Sequence, residues 1–211
     1  VIAMLIGSIM GLNRNQLEIL GVSAILHDIG KALTDFRILN KPAKLKPDEY
    51  EKVKLHTKEG YELLKSRTSL SFIIPHMALQ HHEREDGSGY PRGLTGKRIH
   101  RFSKIVAVVD TYDAMTSNRA YREEITTLQA LAEIKQEAAR KFDSNVVEAF
   151  LRVVAPYPIG STLLFKNGQK AIVRSVSRHE CLVEVIEGSD AGNIFNLYHR
   201  PNLEVDRVFF S

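Results

Sequence analysis

Apolar residues recur at three- and four-residue intervals through residues 1–155 and then switch to alternate positions. Residues 1–10 read as a helix closed by Gly11 as its C-cap. Asn15 followed by Glu18 resembles a capping box, and Leu17, Leu20, Ala24 and His27 carry one helical face forward to Gly30. Pro47 suits a first helical turn, and Tyr50, Val53, His56 or Thr57, and Leu64 follow helical spacing. Lys46 before it is a poor cap and predicts a frayed start. A further helix is expected over about 72–83, with Pro75 near its beginning. Residues 104–112 fit strand or helix by period alone; "TYDAM" continues them without a turn residue, which favours helix. Two more helices are expected near 127–141 and 144–154.

The pattern changes at "APYPIG", residues 155–160, where two prolines and a glycine punctuate the chain. "STLLFKNGQKAIVRSV" then reads as strand, Asn167-Gly168 turn and strand, and "CLVEVIE", "NIFNLY" and "VDRVFF" supply about three more strands. The expected architecture is mainly α: a helical bundle over 1–155, followed by a small, barrel-like antiparallel β-domain over 156–211. No internal repeat or low-complexity tract is evident.

Composition narrows the function classes. A chain of 211 residues, 44% hydrophobic and 26% charged, can build one sizeable core plus a small second domain. No run approaches the ~18 apolar residues of a membrane span. The first ten residues lack the basic segment and cleavage site of a signal peptide. The chain does not begin with Met and opens in mid-helix, so further N-terminal sequence is expected. The single Cys181 rules out an internal disulfide framework and fits a reducing cytosol. A net charge of +4 on scattered Lys and Arg gives no footprint for a DNA or RNA polymer.

Four clusters carry candidate chemistry: "LHDIGK" with His27, Asp28 and Lys31; His56 in "KLHTKEGYELL"; "HHEREDGSGYPRGLTG" with His81 and His82; and Asp110 in "IVAVVDTYDAM". Each follows or interrupts an apolar helical segment, where an unpaired charge costs several kcal/mol, about 2–7 by transfer. A metal offsets that cost, and mixed imidazole and carboxylate donors suit Fe, Mn, Ni or Zn. Adjacent residues on a helix point about 100° apart. His27-Asp28 and His81-His82 could therefore each serve different ions, or one member could bind metal and the other substrate. Taken alone, His56 or Asp110 would be a helix-surface residue, and a His-Asp pair is weak evidence.

The full set in this order resembles the HD-GYP domains, a branch of the HD phosphohydrolase superfamily. The motifs that carry the resemblance are "HDIGK", "ILNKPAKL", His56, "HHEREDGSGYPRGLTGKRI" and "VVDTYDAMTSNRAYR", over roughly residues 1–125. It implies an HD-superfamily helical catalytic domain, truncated at its N-terminal end, and a phosphodiesterase that hydrolyses cyclic di-GMP to pGpG, GMP or both. It implies metal ligation by His27, Asp28, His56, His81, His82 and Asp110, with Asp28 bridging ions. Lys31 matches the lysine at the scissile phosphate, Tyr90 the tyrosine over the substrate, and Arg119 and Arg122 the basic positions that grip phosphate oxygens.

The implied cofactors are two or three divalent metals, iron first and manganese next. A third would need ligands upstream of Val1, since residues 1–10 contain neither histidine nor glutamate. Thr57 and Ala120 stand where the family commonly has proline, and Ala43 where it has glycine; none removes a ligand. The resemblance also implies a cytoplasmic setting and diguanylate cyclase (GGDEF-type) partners at the GYP loop. A homodimer and an upstream sensor domain are compatible with it. The alternatives are a non-catalytic cyclic di-GMP receptor or interaction module, or a hydrolase of another cyclic dinucleotide. Glu83 to Asp86 are expected to be solvated helix-end charges, and His76, His100, His179 and His199 structural or surface residues.

Overall fold

The structure, a computed structural model, describes residues 1–67, 69–117, 127–154, 157–177, 180–200 and 202–209, with Leu128 described in its backbone only. The chain forms two compact units, Val1–Val153 and Val154–Ser211. In the first, α1 (Ile2–Ile9), α2 (Arg14–Leu26), α3 (Phe36–Leu39), α4 (Pro47–Lys54), α5 (His56–Lys65), α6 (Ile73–Gln80), α7 (Arg101–Thr116), α8 (Thr127–Gln136) and α9 (Ser144–Val153) follow one another. A 3₁₀ turn, Ile29–Leu33, continues from α2. None of the described helices is long and apolar enough to cross a membrane.

The helical core lies around α7, which packs against α1, α6, α8 and α9. Its Phe102, Ile105, Val106 and Val108 are buried with Ile6 of α1, Leu20 of α2, Met77 of α6 and Phe150 of α9. Each such side chain contributes roughly 1.5–3 kcal/mol by leaving water. This settles the strand-or-helix ambiguity of residues 104–112: the segment is helical.

Helix ends differ from expectation where tertiary contacts intervene. The capping box of α2 is Asn13 with Gln16, not Asn15 with Glu18. The Asn13 Oδ1 accepts from Gln16 N at 3.0 Å, and Gln16 Oε1 accepts from Asn13 N at 3.1 Å. The chain leaves Gly11 extended at Asn13, which a cap requires, so Asn15 already lies inside the helix. Lys46 gives no side-chain cap to α4, but Glu49 accepts its N–H at 2.7 Å and closes that end from inside the helix. The helix expected to reach residue 83 stops at Gln80, where Glu83 N donates to Gln80 O at 2.9 Å. The helix expected to reach residue 141 stops at Gln136, and Ala139 adopts a left-handed backbone at φ 65°.

In the second unit, β1 (Thr162–Phe165), β2 (Lys170–Val176), β3 (Cys181–Val185), β4 (Ile194–Asn196) and β5 (Val205–Phe209) form one antiparallel sheet in the order β4-β3-β2-β1-β5. Alternation sends Leu163, Phe165, Ala171, Val173, Cys181 and Val183 to one face, where Tyr157 and Leu197 complete a core. The expected turn is present: Gly168 has φ 84°, and its N–H donates to Phe165 O at 2.8 Å. Among the described residues β4 and β5 are edges and do not pair with each other.

Candidate metal centre

Three histidines stand where a helix has just ended. His27 follows α2, His56 follows α4 by one residue and opens α5, and His81 follows α6. The last carbonyls of a helix lack intrahelical partners, and here they orient imidazoles. His27 Nδ1 donates to Ala24 O at 2.9 Å, His56 Nδ1 to Val53 O at 2.5 Å, and His81 Nδ1 to Ala78 O at 2.9 Å. A carbonyl only accepts, so each Nδ1 carries a proton and Nε2 is left as the ring atom able to ligate a metal. Three helix C-termini therefore meet here, each with a partial negative charge that favours a cation.

The three Nε2 atoms converge on Asp28. His56 Nε2 and His81 Nε2 lie 3.3 and 3.6 Å from Asp28 Oδ1, and His27 Nε2 lies 3.3 Å from Asp28 Oδ2. Asp110 reaches in from α7, with Oδ1 3.6 Å from His27 Nε2. His82 adjoins His81, their ring centroids 4.1 Å apart. Two sets have ligand atoms within 4.8 Å of one another: Asp28, His56, His81 and His82; and His27, Asp28 and Asp110. Asp28 belongs to both.

Gly30 makes this convergence possible. A Cβ on it would lie 1.9 Å from His56 O and 2.5 Å from Gly60 N, so only glycine lets the turn after Asp28 press onto the start of α5.

Electrostatics prepare the site for a cation. Burial opposes charge on Asp28, but the imidazoles of His27, His56 and His81 gathered around it hold its carboxyl far below the usual range. Burial likewise pushes Asp110 up, and His27 outweighs it, leaving a pKa of about 2. Burial keeps His81 neutral, and burial plus repulsion from His81 lowers His82 to about 2. Burial acts against a charge on His27, yet the carboxylates of Asp110 and Asp28 beside it raise it to about 10. The donor set thus includes two carboxylates and the neutral imidazoles of His81 and His82, while the carboxylates draw onto His27 a positive charge that a cation would replace.

The donors fit a metal on this geometry. His56 and His81 turn their Nε2 lone pairs toward each other at 3.3 Å and toward an anionic oxygen. Asp28 Oδ1 and His27 Nε2 are buried and lack hydrogen-bond partners. Acceptors this close repel one another unless a cation lies among them.

Of the other expected residues, Lys31 places its ammonium on Asp28 Oδ2. Tyr90 stacks on His82, with centroids 4.6 Å apart and planes at 26°. Its other neighbours are Tyr50 of α4 and His56, each at 6.5 Å edge to face, and the Lys54 ammonium, 5.5 Å from its centroid. Arg119, Arg122 and His179 lie outside the described residues. His100 caps α7 by accepting Phe102 N at 3.1 Å, and His76 packs on Tyr61.

The acidic run after His82 is not the solvated helix end expected of it. Glu83 is 2% exposed and accepts Arg92 N at 2.9 Å and Leu94 N at 2.8 Å. Arg84 donates to His81 O and Glu83 O and lies over the Phe142 ring. Glu85 pairs with Lys104 at 2.9 Å, and Lys104 also holds Asp143 at 3.0 Å. Asp86 alone keeps to the surface, accepting from Ser88 N and Oγ. Sequence reasoning missed Glu83, Arg84, Tyr50 and Lys54. The available signal was a glycine-rich loop whose freed N–H groups need acceptors, directly after an acid-rich stretch.

A model of the HD domain matches residues 2–146. The chain is 42% identical over 152 residues to the cyclic di-GMP phosphodiesterase response regulator RpfG of Xanthomonas campestris, covering 72% of this chain and 40% of that protein. It is 34% identical over 142 residues to 3'3'-cGAMP-specific phosphodiesterase 2 of Vibrio cholerae, covering 67% of this chain and 27% of that protein. Bd1817, an HDG"Y"P protein from Bdellovibrio bacteriovorus, has a similar solved structure. Its TM-score is 0.59 at 17% identity, over 71% of this chain and 47% of the other. The chain thus matches less than half the length of each of these proteins. By the match over residues 2–146, the chain belongs to the HD domain family.

Proposed function

We propose that the helical unit is a metal-dependent phosphodiesterase of the HD-GYP kind that hydrolyses cyclic di-GMP to pGpG, GMP or both. The observation that carries this reading is the pair of ligand sets sharing Asp28, set beside likeness to relatives named as cyclic di-GMP phosphodiesterases. In this reading His27, Asp28 and Asp110 hold one ion and Asp28, His56, His81 and His82 the other. Bound divalent ions would supply an acidified water and neutralise phosphate charge. Iron is the first candidate and manganese the second, since imidazole with carboxylate suits both.

The remaining roles belong to the chain's own side chains. The carbonyls of Ala24, Val53 and Ala78 hold the imidazole tautomers. Lys31, now on Asp28, is assigned to the scissile phosphate, and Arg119 and Arg122 to its other oxygens. Tyr90, stacked on His82, is assigned to the wall of the substrate site. The reading places the protein in the cytoplasm, where a nucleotide messenger is turned over. A GGDEF-type cyclase at the Tyr90 loop, a homodimer and an upstream sensor fit the same reading; pull-down with Tyr90→Ala tests the first.

The test is Asp28→Asn in protein loaded with Fe(II) or Mn(II), with metal content and products of cyclic di-GMP measured. Turnover should fall by more than the roughly 10–100-fold that outer-sphere changes cost, with loss of bound metal. Full metal and full turnover would refute the bridging role. Cyclic di-GMP bound tightly by metal-loaded wild-type protein without turnover would support a receptor instead. A second reading, hydrolysis of 3'3'-cGAMP, is favoured by the 34% identical Vibrio relative. The ratio of kcat/KM for the two dinucleotides decides between them.

A further inference from the structure

Glu83 is the one buried acid in the described helical unit that lies outside both ligand sets. A buried carboxylate is costly unless its oxygens are hydrogen-bonded. Here each oxygen takes a different backbone N–H of the same loop, Arg92 and Leu94. The residue before it holds the loop a second time, since His82 O accepts Tyr90 N at 3.2 Å. Between these anchors the backbone passes so close that a Cβ on Gly89 would lie 2.4 Å from His82 O and 2.6 Å from Glu83 Cα. Residues 82–83 and 89–94 therefore form one clamped piece, with Tyr90 stacked on His82 at its edge.

We propose that Glu83 is a positioning residue for substrate: by holding the amides of Arg92 and Leu94 it sets the Tyr90 ring against His82 and so fixes the wall of the cleft. This rests on the phosphodiesterase reading above. The chemistry requires an acid there. Only a carboxylate can accept two N–H groups without presenting a donor; a glutamine would set its own NH₂ against one of them. The Tyr90 ring also faces Tyr50 and Lys54, so release of the loop widens the wall between α4 and the metal centre.

The isosteric Glu83→Gln variant tests this in the whole chain, alone and combined with Tyr90→Ala. Hydrogen exchange at Arg92 and Leu94 should quicken about tenfold, the scale of one lost buried hydrogen bond, while α7 amides stay as they were. Bound metal should remain, and KM for cyclic di-GMP should rise about tenfold with kcat within about twofold. Tyr90→Ala should raise KM alike, and the double variant should add little. Unchanged exchange at both amides overturns the proposal, as does loss of metal with KM unmoved, or strict additivity of the two substitutions. Should Glu83→Gln fail to fold, Glu83→Asp, which keeps the charge but shortens the reach, carries the same measurements. A wild-type protein inert toward cyclic di-GMP would sink the phosphodiesterase reading and with it the substrate role, even if the exchange result showed the clamp to be real.

Discussion

The two units of this chain solve burial in opposite ways. The helical unit takes His56, His81 and Glu83 to 2% exposure or less and turns two of them on an anion. The β unit fills its interior with Leu163, Phe165, Ala171, Val173, Cys181 and Val183, and its buried polar residue among those described is Ser161. An apolar interior is stable as it stands. A polar one is stable only if every donor and acceptor is answered, and around Asp28 the missing answer has the charge of a cation. The difference marks where chemistry is housed.

The contrast can be broken or sharpened by experiment. The largest effects should come from core truncation. Phe150→Ala and Phe165→Ala should each cost about 3–5 kcal/mol. Phe150→Ala should also lower metal content, and Phe165→Ala should leave it unchanged, as hydrogen exchange and metal analysis would report. If Phe165→Ala stripped the metal, the units would not be separable in this sense.

Next in size is the metal itself. Mn(II) at a hundredfold excess over its dissociation constant should stabilise the helical unit by about 2.7 kcal/mol, and β-unit amides should gain no protection. Equal protection in both would contradict the comparison.

Gly30→Ala should follow. Its Cβ would meet His56 O, so the turn must move, at a cost of about 1–3 kcal/mol. Metal affinity should fall as well, because the shift separates Asp28 from His56; titration with Mn(II) measures it.

The smallest effect concerns the charges that tie the Glu85 loop to α7. Burial raises the Asp143 carboxyl, but Lys104 outweighs it and holds it below its ordinary 3.8; burial lowers Lys104, but Glu85 and Asp143 hold it above its ordinary 10.5. A depressed carboxyl contributes stability above pH 3.8 that is lost as pH falls below it. A raised ammonium contributes stability below pH 10.5 that is lost as pH rises above it. Lys104→Met should therefore cost about 1–2 kcal/mol between those limits and less outside them, read from urea midpoints across pH. A cost independent of pH would assign Lys104 to packing.

Much of this fold is legible in the sequence because local pattern and tertiary demand agree. In α7 the apolar period and the absence of turn residues give the helix, and Asn167-Gly168 between alternating runs gives the hairpin. Helix ends were less legible. Asn15 and Glu18 have the right chemistry for a cap, but the backbone turns extended two residues earlier. The site divides in the same way. Residue types and order pick out His27, Asp28, His56, His81, His82 and Asp110 through their resemblance to a family. No hydrophobic period reveals that Glu83 is buried, because its partners are the amides of Arg92 and Leu94, nine and eleven residues away across an irregular loop; only the glycine-rich loop after the acidic run hints at them.

The attachment of imidazoles to the terminal carbonyls of α2, α4 and α6 carries a consequence for distant substitutions. Each ring is indexed to a rod rather than to a flexible loop, so the spacing of the donors copies the spacing of the rods. A methyl group removed at Leu64 or Ile74, neither of which holds a ligand, would translate one rod and detune the ring it carries. Interior packing in this unit acts as the gauge of its coordination geometry.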